Sequence, residues 1–421
     1  MAARSQDALG RFAEFSNYRL EHCASAGVAG ESPGSESPDD VAAALEVLSR
    51  WPGYHPTPLL TLVPLAARLG LRRIYYKDES RRFGLGSFKA MGGAYATGRE
   101  IARVLGLPQL VSFEEICAAV RESKRQVVVA CATDGNHGRA VAWAASRLGV
   151  QCVVFVHEAV SAARVRAITE LGATVRRTPG NYDDSVRAAA AHAATHGWRI
   201  VSDTAYDGYE QVPTDIMRGY SALAEETYRQ LPADPLPTHI IVQAGVGGFA
   251  AAFFDGMCAH LSAPGPVMVC VEPLAAAPLL ASARAGRRTV VGGALDTIMA
   301  GLACGEPSTL AWSRLRHGRR VFLAIADEAC AATMRVLADP ALCGRPIVAG
   351  ESGAAGLAGL LCAAARDDMR ELLRLDADSV VLTVGTEGAM DPDSYAALVG
   401  TDSPRERANL SCIDNEQRHP S

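Results

Sequence analysis

Short apolar runs alternate along this chain with alanine-rich stretches of helical spacing. Continuous, β-branched runs occur at 126–132, 152–156, 239–243, 267–271, 319–325 and 379–384. Runs this short, without polar alternation, predict strands buried on both faces. Stretches 138–148, 162–171 and 182–196 read as helices between them, and Val41, Leu45 and Leu48 predict another over 39–50. Strand–helix alternation predicts an α/β fold of two open, twisted, mostly parallel sheets flanked by helices, with right-handed crossovers. One sheet is expected to form a small domain from residues 92–204. The other joins 41–91 to 205–400. Residues 1–40 read as a partly flexible N-terminal segment, in which 26–38 is a linker of small, turn-forming residues. Residues 401–421 read as a polar tail. No short internal repeat occurs.

Composition narrows the class. With 421 residues, 49% hydrophobic and 21% charged, the chain can bury a large core as a soluble globular protein. Net charge is −5 and no basic block occurs, so nucleic acid is not an expected partner. No run of 18 apolar residues predicts a membrane span. Residues 1–19 carry charges throughout, unlike a secretory signal. The 11 cysteines are scattered without a C-x-x-C pair. That argues against a zinc site or a disulfide framework, and points to the cytoplasm.

The glycine-rich turns carry the chemistry. Phe83-Gly84-Leu85-Gly86-Ser87-Phe88-Lys89 follows a strand and a charged bend, Lys77-Asp78-Glu79-Ser80. It delivers Lys89 to the start of a helix. A lysine beside an aromatic and away from bulk solvent can lose its proton and bond covalently to a carbonyl. The plain alternative is a solvated lysine at a helix start capped by Ser87. Thr133-Asp134-Gly135-Asn136-His137-Gly138 follows the run at 126–132, in the strand–turn–helix geometry that presents N–H groups and side chains to an anion. Asp134 or Asn136 could also simply cap that helix. Gln243-Ala244-Gly245-Val246-Gly247-Gly248 is a third such turn, without the lysine and hydroxyl of a nucleotide P-loop. A tight structural turn is the commoner meaning of such a loop. Gly350-Glu351-Ser352-Gly353 opens a helix, and Gly385-Thr386-Glu387-Gly388 ends the strand at 379–384. The Thr386 hydroxyl could face a ligand ring or satisfy its own backbone.

In this order the motifs resemble the fold type II pyridoxal-phosphate enzymes related to the tryptophan synthase β chain. Within them the chain resembles the diaminopropionate ammonia-lyase family. The likeness rests on Lys77–Ser80 with Arg82–Leu85, Thr133–Gly138, Gly180–Asp184, Asp203–Ala205, Thr297–Pro307 and Thr386–Gly388, and spans residues 50 to 400. It implies pyridoxal 5'-phosphate on Lys89, which then acts as general base at Cα. Asp134 is the implied second acid/base across the substrate carbon, and Asp203 lies near the substrate amino group. Asn136 is implied for the phenolic oxygen, Gly245, Val246, Gly247 and Gly248 for the phosphate, and Thr386 for the pyridine nitrogen. Glu351 and Phe88 complete the cofactor set, with core packing an equal role for Phe88. The implied reaction is α,β-elimination of D- or L-2,3-diaminopropionate to pyruvate and ammonia, in a homodimer binding a small amino acid and no resident metal. A lyase, dehydratase or β-replacement enzyme acting on serine, threonine or hydroxyaspartate is the alternative, and a non-catalytic binding protein of the same fold is a second. The chain departs from the family pattern at Gly86-Ser87, Asp215, Leu274–Pro278 and Ala389. Pro278 stands where some relatives have a cysteine that can pair with the one matching Cys304. That disulfide is therefore not expected, and 274–278 is expected to be held by packing alone.

Overall fold

The computed structural model describes residues 12–25, 36–108, 110–133, 135–180, 182–261 and 265–400. Their strands, in chain order, are β1 (Leu20–Ser25), β2 (Leu59–Thr61), β3 (Arg73–Asp78), β4 (Val128–Ala132), β5 (Gln151–His157), β6 (Thr174–Thr178), β7 (Arg199–Ile200), β8 (His239–Gln243), β9 (Val267–Pro273), β10 (Arg320–Ile325) and β11 (Val380–Gly385). The larger sheet has the order β1-β10-β9-β8-β11-β3-β2 and is parallel except at its antiparallel edges, β1 and β2. The smaller sheet, β6-β5-β4-β7, is parallel throughout. This is the expected α/β class of two open sheets with helices on their faces.

The six apolar runs are β4, β5 and β8 to β11. Every residue of β8 and β11 is buried, which is why these strands read as unbroken apolar text. The predicted helices are Asn136–Leu148, Ala162–Thr169, Tyr182–His196 and Pro38–Ser49. Pro38–Ser49 starts in a capping box. Ser37 Oγ accepts from Asp40 N, and the Asp40 carboxylate accepts from Ser37 N at 3.1 Å. Residues 26–35 of the expected linker, and the tail 401–421, lie outside the described residues.

All strands of the small sheet come from within 92–204, and all strands of the large sheet from outside it. Two details differ from the expected division. First, β1, from the N-terminal segment, is an edge strand of the large sheet. Second, the boundary at 91/92 falls inside one unbroken helix, Lys89–Leu105. That helix is clamped from both sides. A Cβ on Gly92 would stand 2.5 Å from the Tyr220 ring, and one on Gly93 would stand 2.6 Å from Ala140 Cβ. Helix Gln211–Gln230 answers with Gly219, whose Cβ would come 2.4 Å from Met91 O. The helix therefore touches both domains along small residues, and no cut inside it separates them.

Behind the Lys89 loop lies a buried ionic network. Lys77 Nζ donates to Glu226 Oε1 at 2.5 Å, to Thr57 O at 2.7 Å and to Gln230 Oε1 at 2.8 Å. The Arg82 guanidinium forks onto Glu79 at 2.8 and 2.9 Å and onto Glu226 at 2.7 and 2.9 Å. Tyr54 OH and Thr57 N also donate to Glu226. Burial pushes the Glu226 pKa up, but Arg82 and Lys77 outweigh it and bring it down to about 2. Removing one partner of such a set leaves buried charges uncompensated, at about 3–5 kcal/mol. Glu226→Ala should therefore lower stability by about 3–5 kcal/mol in urea denaturation. A loss below about 1 kcal/mol, the range of an exposed pair, would refute this weight.

Candidate active site

Five segments leaving the C-terminal ends of β3, β4, β7, β8 and β11 are joined to one another by hydrogen bonds and close contacts, at the usual ligand position in open α/β sheets. The β3 segment carries Lys89. It is seated on the end of β11: Phe88 N donates to Thr386 O at 3.0 Å, and Ser87 bridges to Glu387. Ser87 Oγ also accepts from Lys89 N at 3.3 Å, so the capping role exists too.

Lys89 is half-buried and meets Asp203, from the segment after β7, at 2.5 Å. Its Nζ lies 5.5 Å from the centre of the Phe88 ring and 5.9 Å from that of Tyr220. Phe88 packs in turn on Tyr220 at 4.9 Å and on Phe249 at 4.4 Å, so it belongs both to the core and to the surroundings of the amine. Burial opposes the charge on Lys89, but Asp203 outweighs it and raises the amine's pKa. Burial likewise pushes Asp203 up, while Lys89 and His137 hold it well below the usual carboxylate range.

The segment after β4 is shaped by Thr133. Its Oγ1 accepts from Gly135 N at 3.1 Å and Gly138 N at 3.2 Å. Asp134 lies outside the described residues. Asn136 donates through Nδ2 to the Glu387 carboxylate. His137 Nε2 lies 2.8 Å from Val201 O, and burial lowers its pKa. A neutral ring facing a carbonyl carries its proton on that nitrogen. His137 thus ties the segment after β4 to the one bearing Asp203.

After β8, Gly245, Val246, Gly247 and Gly248 turn into helix Gly248–Cys258, with Gly247 at φ +93°. Side chains at Gly245 and Gly247 would be crowded. A Cβ on Gly245 would stand 3.2 Å from Cys304 Sγ, and one on Gly247 3.1 Å from Ala311 Cβ. Ser308 stitches this turn to the Asp203 segment: its N–H donates to Val246 O at 2.9 Å, and its Oγ accepts from Ala205 N at 3.2 Å. At the end of β11, Thr386 Oγ1 accepts from Gln243 Nε2 at 2.5 Å, so its own O–H is directed elsewhere.

Glu351 turns toward Ser394 but stays close enough to Glu387 to add, behind burial, to the rise of that carboxylate's pKa. The Glu351 carboxylate accepts from Ser394 Oγ at 2.7 Å. The neighbouring Ser352 makes the inward contacts instead: its Oγ accepts from Gly301 N at 2.9 Å and its N–H donates to Glu387 at 3.1 Å. The expectation that 274–278 is held by packing alone is corrected. Leu274 N donates to Ile325 O at 2.9 Å, and the buried Glu272 accepts from Leu279 N at 2.8 Å and Leu280 N at 2.7 Å. The carboxylate thereby caps the next helix. Burial outweighs these two donors and pushes its pKa up to about 8. None of the described cysteines, Cys304 included, is in a disulfide.

Sequence reading missed Gln243, Glu387, Ser308 and Tyr220 as members of the site. The first two stand inside the quoted turns, so their strand-end position was a usable signal. Ser308 and Tyr220 enter only through the fold.

Residues 50–387 match the model of the family described as pyridoxal-phosphate dependent enzyme. The diaminopropionate ammonia-lyase of Escherichia coli K12 is 42% identical over 353 residues, covering 82% of this chain and 88% of that protein. The same enzyme of Salmonella typhimurium LT2 is 43% identical over 359 residues, covering 83% and 89%. The chain belongs to the pyridoxal-phosphate dependent enzymes, in their diaminopropionate ammonia-lyase family. The crystal structure of the holo E. coli diaminopropionate ammonia-lyase superposes with TM-score 0.85 at 38% identity, covering 91% of this chain and 97% of that one. The same enzyme in complex with D-serine gives 0.85 and 38%, with the same coverage. Threonine deaminase isoform 2 of Solanum lycopersicum, at 20% identity and TM-score 0.67 over 90% of this chain and 98% of that one, shares the fold.

The residues of this pyridoxal-phosphate dependent enzyme fit its cofactor. The glycine-rich turn at 245–248 runs into a helix whose first N–H groups lack intrahelical partners, a cradle for a phosphate. Lys89 is within reach of Asp203, beside that turn. No group of three or more His, Cys, Asp or Glu side chains suited to a metal occurs among the described residues.

The Lys89–Asp203 pair makes a testable claim about the cofactor-free protein. Its stabilisation is complete between the ordinary aspartate value of 3.8 and the ordinary lysine value of 10.5. It is lost as pH falls below the first or rises above the second. Asp203→Asn removes what holds the proton on Lys89 and leaves burial unopposed. Acylation of Lys89 in the apoenzyme, followed by mass spectrometry across pH, should then show its midpoint shifted down by about one unit or more. An unmoved midpoint would refute the pairing.

Proposed function

We propose that this chain catalyses the α,β-elimination of 2,3-diaminopropionate, taking up one water and releasing pyruvate and two molecules of ammonia. The observation that carries it is the meeting at the strand ends of Lys89, Asp203, Asn136, Thr386 and the turn at 245–248. Membership of the diaminopropionate ammonia-lyase family supports the same reading.

Pyridoxal phosphate, when bound, supplies an electron sink for the charge that develops at the substrate's Cα. Lys89 would hold it covalently. Gly245, Val246, Gly247 and Gly248 would hold its phosphate at the positive end of helix Gly248–Cys258. Asn136 would meet the phenolic oxygen. Thr386, with its oxygen already taken by Gln243, would offer its hydroxyl proton to the ring nitrogen. A neutral donor there leaves that nitrogen unprotonated, which favours elimination over transamination.

Lys89 would take the substrate's Cα proton. Asp203 would hold the ammonium form of Lys89 and lie beside the substrate's amino group. Asp134 serves as acid/base on the opposite side of Cα, so that one site processes both stereoisomers. Phe88 and Tyr220 shield the amine from water on the side where their rings flank it. The reading includes a cytoplasmic homodimer, supported by the scattered cysteines and the family resemblance. No helix among the described residues is long and apolar enough to cross a membrane.

Pyruvate release should be fastest with D- or L-diaminopropionate and slower by at least an order of magnitude with serine, threonine and hydroxyaspartate. Faster release from any hydroxy amino acid would overturn the substrate. Lys89→Ala should lack the visible absorbance of the lysine-bound cofactor and show no turnover. Survival of that absorbance would reject Lys89 as the carrier.

A general base contributes about 10²–10⁴-fold to rate. Asp134→Asn should lose D-isomer activity by about that order, with a smaller loss on the L-isomer. Equal losses on the two isomers would reject the division of labour between Asp134 and Lys89.

A further inference from the structure

Glu387 lies where three elements meet; burial and the facing Glu351 raise the pKa of its carboxylate, and the neutral donors Ser352 and Asn136 oppose that rise and hold the charged, acceptor-only form. Ser352 N, at the start of helix Glu351–Ala364, donates to Oε1 at 3.1 Å, and Asn136 Nδ2, at the start of helix Asn136–Leu148, donates to Oε2. Its backbone is equally fixed. Gly350 N donates to Glu387 O at 3.0 Å, and a Cβ on Gly353 would stand 2.5 Å from that oxygen. Glu387 is buried and attached to the large sheet, whereas Asn136 stands on the small-sheet side. Glu387 is thus the fixed member of the pair.

An asparagine amide has two faces of opposite character, an oxygen that accepts and an NH₂ that donates. A carboxylate only accepts, so only the NH₂ end can be turned to it. The amide's rotation is then set, and its second N–H and its oxygen have fixed directions. A ligand oxygen approaching Asn136 meets a pre-oriented donor instead of one that must choose between two flips.

We propose that Glu387 is a positioning residue for the reaction, fixing the amide of Asn136 so that its remaining N–H faces the phenolic oxygen of the cofactor. The proposal rests on the cofactor reading given above. It assigns Glu387 no contact with substrate. A second contact on the same segment serves the same docking of the two domains: Met390 Sδ lies 3.6 Å from Arg139 Nη1, one helical turn beyond Asn136.

The test is a double-mutant cycle with Glu387→Gln, which keeps the shape but can face Asn136 with either end, and Asn136→Ala. In the holoenzyme, Glu387→Gln should shift the pH midpoint of the visible absorbance by about one unit, the order expected from one hydrogen bond to a charged group. It should lower kcat about tenfold, with KM within about twofold. Pyridoxal phosphate affinity, measured by titrating the apoenzyme, should weaken about tenfold. In an Asn136→Ala background, Glu387→Gln should change none of these further, because its route of action is gone. Glu387→Asp, which restores an acceptor-only partner, should recover part of the midpoint. Additive effects of the two substitutions, or an unshifted midpoint in Glu387→Gln, would overturn the proposal. Failure of the underlying cofactor reading is separately visible as absorbance that survives Lys89→Ala.

Discussion

The site depends on the charges buried behind it. Lys77, Glu79, Arg82 and Glu226 sit in a closed set with Tyr54, Thr57 and Gln230, and nearly every donor finds a carboxylate or a carbonyl. Burying such charges costs several kcal/mol per ion, which only a fully paired geometry offsets. The set joins three stretches that are distant in sequence: the loop at 54–57, the end of β3 with the turn after it, and the long helix Gln211–Gln230. The turn after β3 is the one that ends in Lys89. A bidentate guanidinium admits little play, so the root of the Lys89 loop is fixed in direction as well as in place.

From that root the chain enters a helix with almost no freedom to move. Residues Met91 to Gly93 lie against Tyr220 and Gly219 on one side and Ala140 on the other, closer than any side chain larger than hydrogen at the glycines would permit. Close-packed interfaces of this kind transmit displacement, because there is no void to absorb it. Lys89 begins this helix and Tyr220 packs on it, while Asn136 begins the helix that carries Ala140. The amine, the aromatic wall and the amide are therefore set by one packing problem.

Much of this was legible in the sequence, for physical reasons. Strands β8 to β11 lie under helices on both faces and are written as unbroken apolar runs. β6 was not legible, because it is an exposed edge strand with Arg176 and Arg177 in its middle. β1 and β2 are likewise edges whose pairing is decided by a partner elsewhere. Lys89, Asn136, Gly245 and Thr386 could be picked out because they stand in strand-end turns, where glycine and polar residues mark the chain. Asp203 came only through the family resemblance. Glu387 and Gln243 stand in strand-end turns, which marks their place, but their partners lie 251 and 143 residues away, and no local pattern encodes which contact they make. Glu351 opens a helix, as the Gly350-Glu351-Ser352-Gly353 turn predicts. The helix it opens turns its carboxylate to Ser394 and gives the inward side to Ser352.

The departures from the family pattern bear on what the site can recognise, and they fall on scaffold contacts. Asp215 is a buried partner of Arg103 and lies 3.9 Å from Arg99, so it joins helices Gln211–Gln230 and Lys89–Leu105 on the far side of their contact from Lys89. Gly86 lets Met390 approach, its would-be Cβ standing 3.1 Å from the Met390 sulfur, and Ser87 caps the Lys89 helix. Ala389 is half-buried against the core under the large sheet. The stretch Leu274–Pro278 is tied by backbone hydrogen bonds and by the capping carboxylate of Glu272. Each change alters how the frame is held together. The groups that meet at the strand ends are Lys89, Asp203, Asn136 and Thr386. Discrimination between a β-amino and a β-hydroxyl leaving group rests on differences of a few hydrogen bonds around the substrate. The altered positions spend their polar atoms on the frame instead: Asp215 on Arg103, Ser87 on Lys89 N and Leu274 N on Ile325 O.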